Sequence, residues 1–299
     1  MSEPALQFLN PRVVTRLANM ELRARLVVEG FITGLHRSPY HGFSVEFAEH
    51  RQYMPGDAIR FVDWKIYGRT DRYYIKQYEE ETNLRSTIIL DTSRSMGFAS
   101  PGQVSKLEYG ASLAAALAYL MIRQQDAVGL ACFDEELRSY LAPHATRGYL
   151  RQLLVNLQKA RASGATGAAH SLHQAADRMK RRGLVIIISD LLDEPASVIG
   201  ALKHFRHKKN EVIVMQILDP IERTFAFGGD AAFRDMETSE RITTLPWQIQ
   251  SSYRGAMTRF LDTYKRECRE HAIDYVMIDT ATPFDVALTE YLARRERLH

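Results

Sequence analysis

Short runs of β-branched and aliphatic residues alternate with longer segments in which apolar residues recur every three or four positions. The short runs have the length of buried strands, and the longer segments are typical of amphipathic helices that pack one face on a core. Strands and helices that alternate in this way predict an α/β fold with a doubly wound, mostly parallel sheet. The main predicted strands are residues 86–91, 127–133, 184–190, 211–218 and 274–279.

Three segments depart from this alternation. Residues 11–30 have apolar positions near helical spacing and predict an amphipathic helix ahead of the first strand. Residues 137–141 predict a short strand at the sheet edge, and residues 225–244 predict an inserted hairpin. We therefore expect a helical and β-rich amino-terminal region over residues 1–83. A larger domain should follow over residues 84–299, with an insertion at about 220–246.

Local signals indicate where several of the predicted helices begin and end. Ser105 and Glu108 form a Ser-x-x-Glu capping box ahead of a buried helix. Asp193 is expected to cap a helix that runs to about residue 207, with Pro195 in its first turn. Gly183 is expected to end the helical segment that precedes the strand at residue 184.

The composition limits the class of protein more than its function. The chain has 299 residues, of which 45% are hydrophobic, so it can bury a sizeable core. Its formal net charge is only +3 and its charges are interspersed, which argues against general affinity for nucleic acid or membranes. Cys132 and Cys268 are isolated, and no long apolar run or signal-peptide pattern is present. These features favour a cytoplasmic protein.

The first strand of the predicted sheet ends in a group of oxygen-bearing side chains. Asp91, Ser93 and Ser95 alternate at its carboxyl end, the edge at which open α/β sheets bind ligands. A carboxylate and two hydroxyls make an oxygen-only set, which suits Mg²⁺. The same side chains are also common at turns, where they accept hydrogen bonds from backbone amides. On these residues alone both interpretations stay open.

Two later segments favour the metal site. Thr166 lies between glycines in Gly164-Ala-Thr-Gly167, and Asp190 ends another apolar strand. An Asp-x-Ser-x-Ser motif followed by these two residues resembles the von Willebrand factor A-type domain with its metal-ion-dependent adhesion site. The resemblance implies one divalent cation, Mg²⁺ or else Mn²⁺ or Ca²⁺, and leaves Leu191 where a glycine is common. The implied ligands, direct or through water, are Asp91, Ser93, Ser95, Thr166 and Asp190.

A second resemblance rests on the segment that precedes the metal motif. This segment is similar to the bacterial family catalogued as domain of unknown function 58, and the likeness covers most of the chain. Members of that family are usually encoded beside MoxR-type AAA+ ATPases, so the resemblance implies such an ATPase as partner. The residues that carry it are Gly34, His36, Ser38, Gly42, Glu46, Phe47, Arg51, residues 53–57, Arg60, Asp63 and Trp64.

We therefore expect a non-enzymatic protein-protein interaction module. Its cation would be completed by an Asp or Glu of the partner, and the module would act as an adaptor of the ATPase in assembling or remodelling protein complexes. One alternative is a Mg²⁺-dependent phosphohydrolase, although Ser93 lies where such enzymes of the haloacid dehalogenase type carry a second aspartate. Another is nucleic-acid binding by basic and aromatic residues, namely Arg37, Tyr40, Arg51, Tyr53 and Trp64.

Overall fold

Strands and helices alternate regularly along the part of the chain that follows residue 84. The computed structural model describes residues 10–15, 19–35, 51–52, 67–69, 73–75, 84–165, 167–227, 231–234, 241–244 and 246–295. In chain order the elements are α1 (Pro11–Val14), α2 (Met20–Leu35), β1 (Arg51–Gln52), β2 (Tyr74–Ile75), β3 (Arg85–Asp91), α3 (Lys106–Arg123), β4 (Ala127–Phe133), β5 (Leu137–His144), α4 (Arg147–Lys159), α5 (Ala168–Arg178), β6 (Leu184–Ser189), α6 (Pro195–His207), β7 (Glu211–Leu218), α7 (Pro220–Thr224), β8 (Ala231–Arg234), β9 (Arg241–Thr244), α8 (Pro246–Glu270), β10 (Asp274–Asp279) and α9 (Phe284–Arg295).

The central sheet confirms the predicted fold class. Its strands among the described residues follow the order β10-β7-β6-β3-β4-β5, and all neighbouring pairs are parallel except β4 and β5. The antiparallel β5 is the edge strand that the sequence predicts beside β4. Because β3 lies between β4 and β6, its carboxyl end is surrounded by the ends of two other strands.

Helices cover both faces of this sheet. Ile89, Ile187 and Val214 pack on one face with residues of α5, α6 and α8. On the other face α3 approaches so closely that a Cβ at Gly110 would lie 3.1 Å from Ile188 and 3.2 Å from Leu90. Two buried layers therefore hold the strands at fixed positions beneath their carboxyl ends.

The helix termini agree with the predicted capping at one site and differ at another. Ser105 and Glu108 form the expected capping box at the start of α3. Pro195 lies in the first turn of α6 as predicted, but the cap is Glu194 rather than Asp193. The expectation for Asp193 was wrong because its Oδ2 instead accepts a hydrogen bond from the backbone N–H of Ala168, 3.1 Å away.

The helix predicted over residues 11–30 is divided into α1 and α2. The side-chain oxygen of Asn19 accepts hydrogen bonds from the backbone N–H groups of Glu21 and Leu22, at 2.8 and 3.4 Å. Asparagine at this position begins a new helix, because its side chain satisfies amides that lack a partner within the helix. The periodicity of apolar residues does not reveal this break.

The chain is divided into two compact units. One consists of Met1–Gly34 and Leu84–His299, and the other of Leu35–Asn83. In the first unit, β8 and β9 pair as the predicted antiparallel hairpin and form a sheet of their own. In the second unit, β1 pairs with β2. Within the described residues, no helix is long and apolar enough to cross a membrane.

Substitution of two glycines by alanine should change the stability of the fold in opposite directions. A Cβ at Gly183 would lie 2.2 Å from the carbonyl oxygen of Arg85, whereas a Cβ at Gly200 in α6 would meet no heavy atom within 4 Å. We expect Gly183→Ala to lower the free energy of unfolding by about 1–3 kcal/mol. Gly200→Ala should raise it by about 0.5–1 kcal/mol, because alanine favours the helix. Urea unfolding of both variants measures the two effects, and equal effects would contradict the packing.

Candidate metal centre

Two neighbouring strands end in buried aspartates at one edge of the sheet. Leu90 of β3 pairs with Ile188 of β6, so Asp91 lies beside Ser189 and Asp190 follows one residue later. Asp91 and Asp190 are both fully buried there. Since β-branched and aliphatic residues bury the strands up to this point, the chain brings the two carboxylates together without any contribution from a long loop.

The turn after β3 fixes the Asp91 carboxylate. Its Oδ1 accepts a hydrogen bond from the backbone N–H of Ser93 at 2.8 Å, and its Oδ2 accepts one from Ser189 Oγ at 2.5 Å. Ser93 is buried, Ser95 is half-buried, and their Oγ atoms lie 3.1 Å apart. With Asp190, four of the five predicted ligands therefore lie at this edge of the sheet, and Ser95 is the one of them closest to solvent.

The Asp91 carboxylate is poorly compensated for a buried anion. Burial and then repulsion from the charge of Asp190 raise the pKa of Asp91 to about 7, and the hydrogen bonds from Ser189 and Ser93 only partly oppose this rise. In the part of the chain that the structure describes, no basic side chain forms an ion pair with Asp91. Asp91 therefore has the acceptor capacity and the unmet charge that a bound cation would satisfy.

Asp190 lies in a different electrostatic environment. Its Oδ2 is 2.7 Å from Lys106 Nζ, which is also 2.6 Å from Glu222 Oε1. Burial acts to lower the pKa of Lys106, but the two carboxylates outweigh burial and the pKa is raised. Burial raises the pKa of Glu222, while Lys106 opposes that rise. Asp190 is thus paired with an internal cation, a contact that nothing in the sequence indicates.

The loop that carries Thr166 is hydrogen-bonded to the Asp91 turn. Ser163 N–H donates to Thr92 O at 2.9 Å, and Arg94 N–H donates to Gly164 O at 3.2 Å. Gly164 has a φ of +72°, and a Cβ there would lie 2.7 Å from Asp134 Oδ2, so this approach requires glycine. Thr166 itself lies outside the described residues. Just before it, Ser163 and Gly164 are hydrogen-bonded to Thr92 and Arg94, the two neighbours of Ser93.

Leu191 occupies a position at which glycine is common in the A-type domains that the sequence resembles. Its φ is +53°, a left-handed conformation that leucine rarely adopts. The side chain is fully buried in the core on the α5, α6 and α8 face, and its carbonyl oxygen accepts a hydrogen bond from Tyr264 Oη at 3.2 Å. Packing therefore compensates the backbone strain and holds the chain immediately after Asp190.

The donor set fits a hard divalent cation. Asp91, Ser93 and Ser95 offer oxygen atoms only, which Mg²⁺ prefers over the nitrogen and sulfur ligands of transition metals. Neighbouring oxygen ligands of an octahedral Mg²⁺ lie about 3 Å apart, given Mg–O distances of about 2.1 Å. The 3.1 Å between the Ser93 and Ser95 Oγ atoms agrees with that spacing.

A cleft adjoins the turn after β3. Its volume is about 480 Å³, within the range of ligand-binding clefts. Arg23 of α2, Gly97, Glu108 of α3 and Arg161 are among the residues that line it. Two guanidinium groups and one carboxylate give these charged lining residues a net positive charge, beside the candidate metal centre.

The structure does not test the hypothesis of nucleic-acid binding. Arg37, Tyr40, Tyr53 and Trp64 lie outside the described residues, and of Arg51 only the backbone in β1 is described. That hypothesis stays a prediction from the sequence.

Comparison with known proteins gives a family match and distant structural likenesses. The family described as Protein of unknown function DUF58 matches residues 49–264. Uncharacterized protein Rv1480 of Mycobacterium tuberculosis is 25% identical over 233 residues, which cover 77% of this chain and 72% of the relative.

Two solved structures are similar at low sequence identity. BatB from Bacteroides thetaiotaomicron, a conserved hypothetical protein, is 17% identical with a TM-score of 0.47, over 72% of this chain and 99% of its own. The SpRpn10 VWA domain is 12% identical with a TM-score of 0.38, over 69% of this chain and 94% of its own.

The raised pKa of Asp91 predicts a pH dependence of stability in the absence of divalent cations. Between about pH 4 and about pH 7 the folded protein keeps the Asp91 proton, whereas the unfolded chain releases it near the ordinary pKa of 3.8. The unfolded state then binds fewer protons, so ionisation destabilises the fold as the pH rises. From about pH 4 to about pH 7, the free energy of unfolding of the wild-type protein should therefore fall relative to that of Asp91→Asn. Urea unfolding of both proteins in EDTA measures this difference. Parallel curves for the two proteins would contradict the raised pKa.

Proposed function

The chain belongs to the family described as Protein of unknown function DUF58, and from that premise we propose that it binds a partner protein through a divalent cation. The resemblance to this family drawn from the sequence is confirmed. The observation that carries the proposal is the Asp91 carboxylate, which is fully buried and, among the described residues, without an ion pair. Two hydroxyls accompany it at the edge of the sheet where α/β proteins bind ligands.

Asp91, Ser93 and Ser95 would hold the cation directly. Asp190 and Thr166 would complete its surroundings, directly or through water, as the resemblance to A-type domains implies. Mg²⁺ is the first choice, and Mn²⁺ or Ca²⁺ offers similar preferences for oxygen. When bound, the cation supplies a positively charged coordination position that an Asp or Glu of the partner can fill.

The surface around Ser95 suits an acidic partner segment. Ser95 is half-buried while Asp91 is fully buried, so a carboxylate would approach from the Ser95 side. The cleft beside this turn has Arg23 and Arg161 in its lining, and both would attract an acidic segment. The turn is held by backbone hydrogen bonds to Ser163 and Gly164, so little ordering would accompany binding.

The partner we propose is a MoxR-type AAA+ ATPase, for which this protein would be an adaptor in assembling or remodelling protein complexes. The support for this choice is the family resemblance of the segment 34–64. We place the complex in the cytoplasm, because Cys132 and Cys268 are buried free thiols that suit a reducing compartment.

Substitution of Asp91 tests the proposed function. Asp91→Asn keeps the size of the side chain but removes its charge, and we expect Mg²⁺ affinity to fall at least about tenfold, or about 1.4 kcal/mol. Glu211→Gln is the matched control, because Glu211 is an exposed carboxylate at the opposite, amino end of β7. Isothermal titration calorimetry with Mg²⁺ measures the affinity of the three proteins.

A capture experiment with the MoxR-type ATPase, in Mg²⁺ or in EDTA, measures whether partner binding depends on the cation. The wild-type protein and Glu211→Gln should capture the ATPase only with Mg²⁺, and Asp91→Asn should fail in both conditions. Capture that is equally strong in EDTA would overturn the proposal.

A further inference from the structure

Lys106 is a buried cation at the edge of the candidate metal centre. It is the first residue of α3, directly after the cap Ser105, a position at which lysine is normally solvated. Here its side chain is fully buried, with Nζ 2.7 Å from Asp190 Oδ2 and 2.6 Å from Glu222 Oε1. An ammonium group in this environment is stable only because both carboxylates accompany it.

The charges around Lys106 do not balance. Asp91, Asp190 and Glu222 bring three carboxylates to the ends of β3, β6 and β7, and Lys106 is the cation paired with them among the described residues. With all groups ionised, the cluster lacks two positive charges. Asp91 is the carboxylate of these three that Lys106 does not contact, so it is the one left for an added cation.

We infer that Lys106 is a resident cation that holds one oxygen of Asp190 and thereby makes Asp91 the only carboxylate that binds the divalent cation directly. This inference rests on the proposed function and adds a residue that sets the affinity of its site. Lys106 is a positioning residue here, since it acts through Asp190. Asp190 Oδ1 in turn accepts a weak hydrogen bond from Leu192 N–H at 3.3 Å.

This arrangement explains why a partner's carboxylate would be needed. Affinity for hard cations rises with the number of charged ligands. A centre with one directly bound carboxylate leaves the divalent cation with excess positive charge, which an incoming Asp or Glu can neutralise. If Asp190 were released from Lys106, two carboxylates would neutralise the cation and the centre would bind it more tightly without a partner.

The double variant Lys106→Met/Glu222→Gln tests the inference. It removes one positive and one negative charge, so the net charge of the cluster is kept. Asp190 loses its ammonium partner, which is the change that the test requires. We expect Mg²⁺ affinity, measured by isothermal titration calorimetry, to rise at least about tenfold because Asp190 becomes available. The matched control is Lys203→Met/Glu267→Gln, a surface pair 3.7 Å apart, which should leave the affinity unchanged.

Four outcomes separate this inference from the proposed function. Tighter Mg²⁺ binding by the double variant than by the wild-type protein supports it, and unchanged or weaker binding overturns it while the proposed function stands. Binding by the double variant alone also supports the resident cation but overturns cation-dependent function in the natural protein. Binding by neither protein overturns both.

A second variant covers the case in which the double variant does not fold, as judged by thermal unfolding in EDTA. Glu222→Gln leaves Lys106 with Asp190 as its remaining carboxylate among the described contacts. Lys106 should then hold Asp190 more tightly, and Mg²⁺ affinity should fall several-fold. An unchanged affinity would overturn the inference.

Discussion

Two like charges are buried at neighbouring strand ends, and the rest of the site is arranged around that constraint. The pairing of β3 with β6 places Asp91 and Asp190 at the same edge, and the layers above and below exclude water from both. Repulsion between carboxylates is costly in such an environment unless each is compensated. The chain compensates them differently, with an ammonium group for Asp190 and neutral hydrogen-bond donors for Asp91.

Much of the fold and part of the site follow from short-range signals. The strand from residue 85 to 91 is a β-branched run that ends at a carboxylate, and the turn that gathers Asp91, Ser93 and Ser95 lies within five residues. The capping box of α3 spans four residues. Such features depend on local backbone geometry, so periodicity and spacing predict them.

The remainder depends on contacts between distant parts of the chain. Lys106 meets Asp190 and Glu222 across 84 and 116 residues, and a lysine in a first helical turn carries no sign that it is buried. By residue type Asp193 is the better cap of the two, and its distant hydrogen bond with Ala168 decides against it. For the same reason, the sequence predicts Thr166 and Asp190 as ligands less directly than Asp91, Ser93 and Ser95, which lie in one turn.

The main chain at Asp190 is fixed by contacts that do not involve Lys106. Its carbonyl oxygen accepts a hydrogen bond from Gln216 Nε2 at 2.6 Å, and Gln216 Oε1 accepts one from Tyr275 Oη at 2.5 Å. These contacts link β6 to β7 and β10, so the strand end cannot shift without disturbing the sheet. The sheet therefore holds the main chain of Asp190, and Lys106 holds its carboxylate. With the main chain fixed, the ion pair between Lys106 and Asp190 can set the cation affinity of the site without a change of fold.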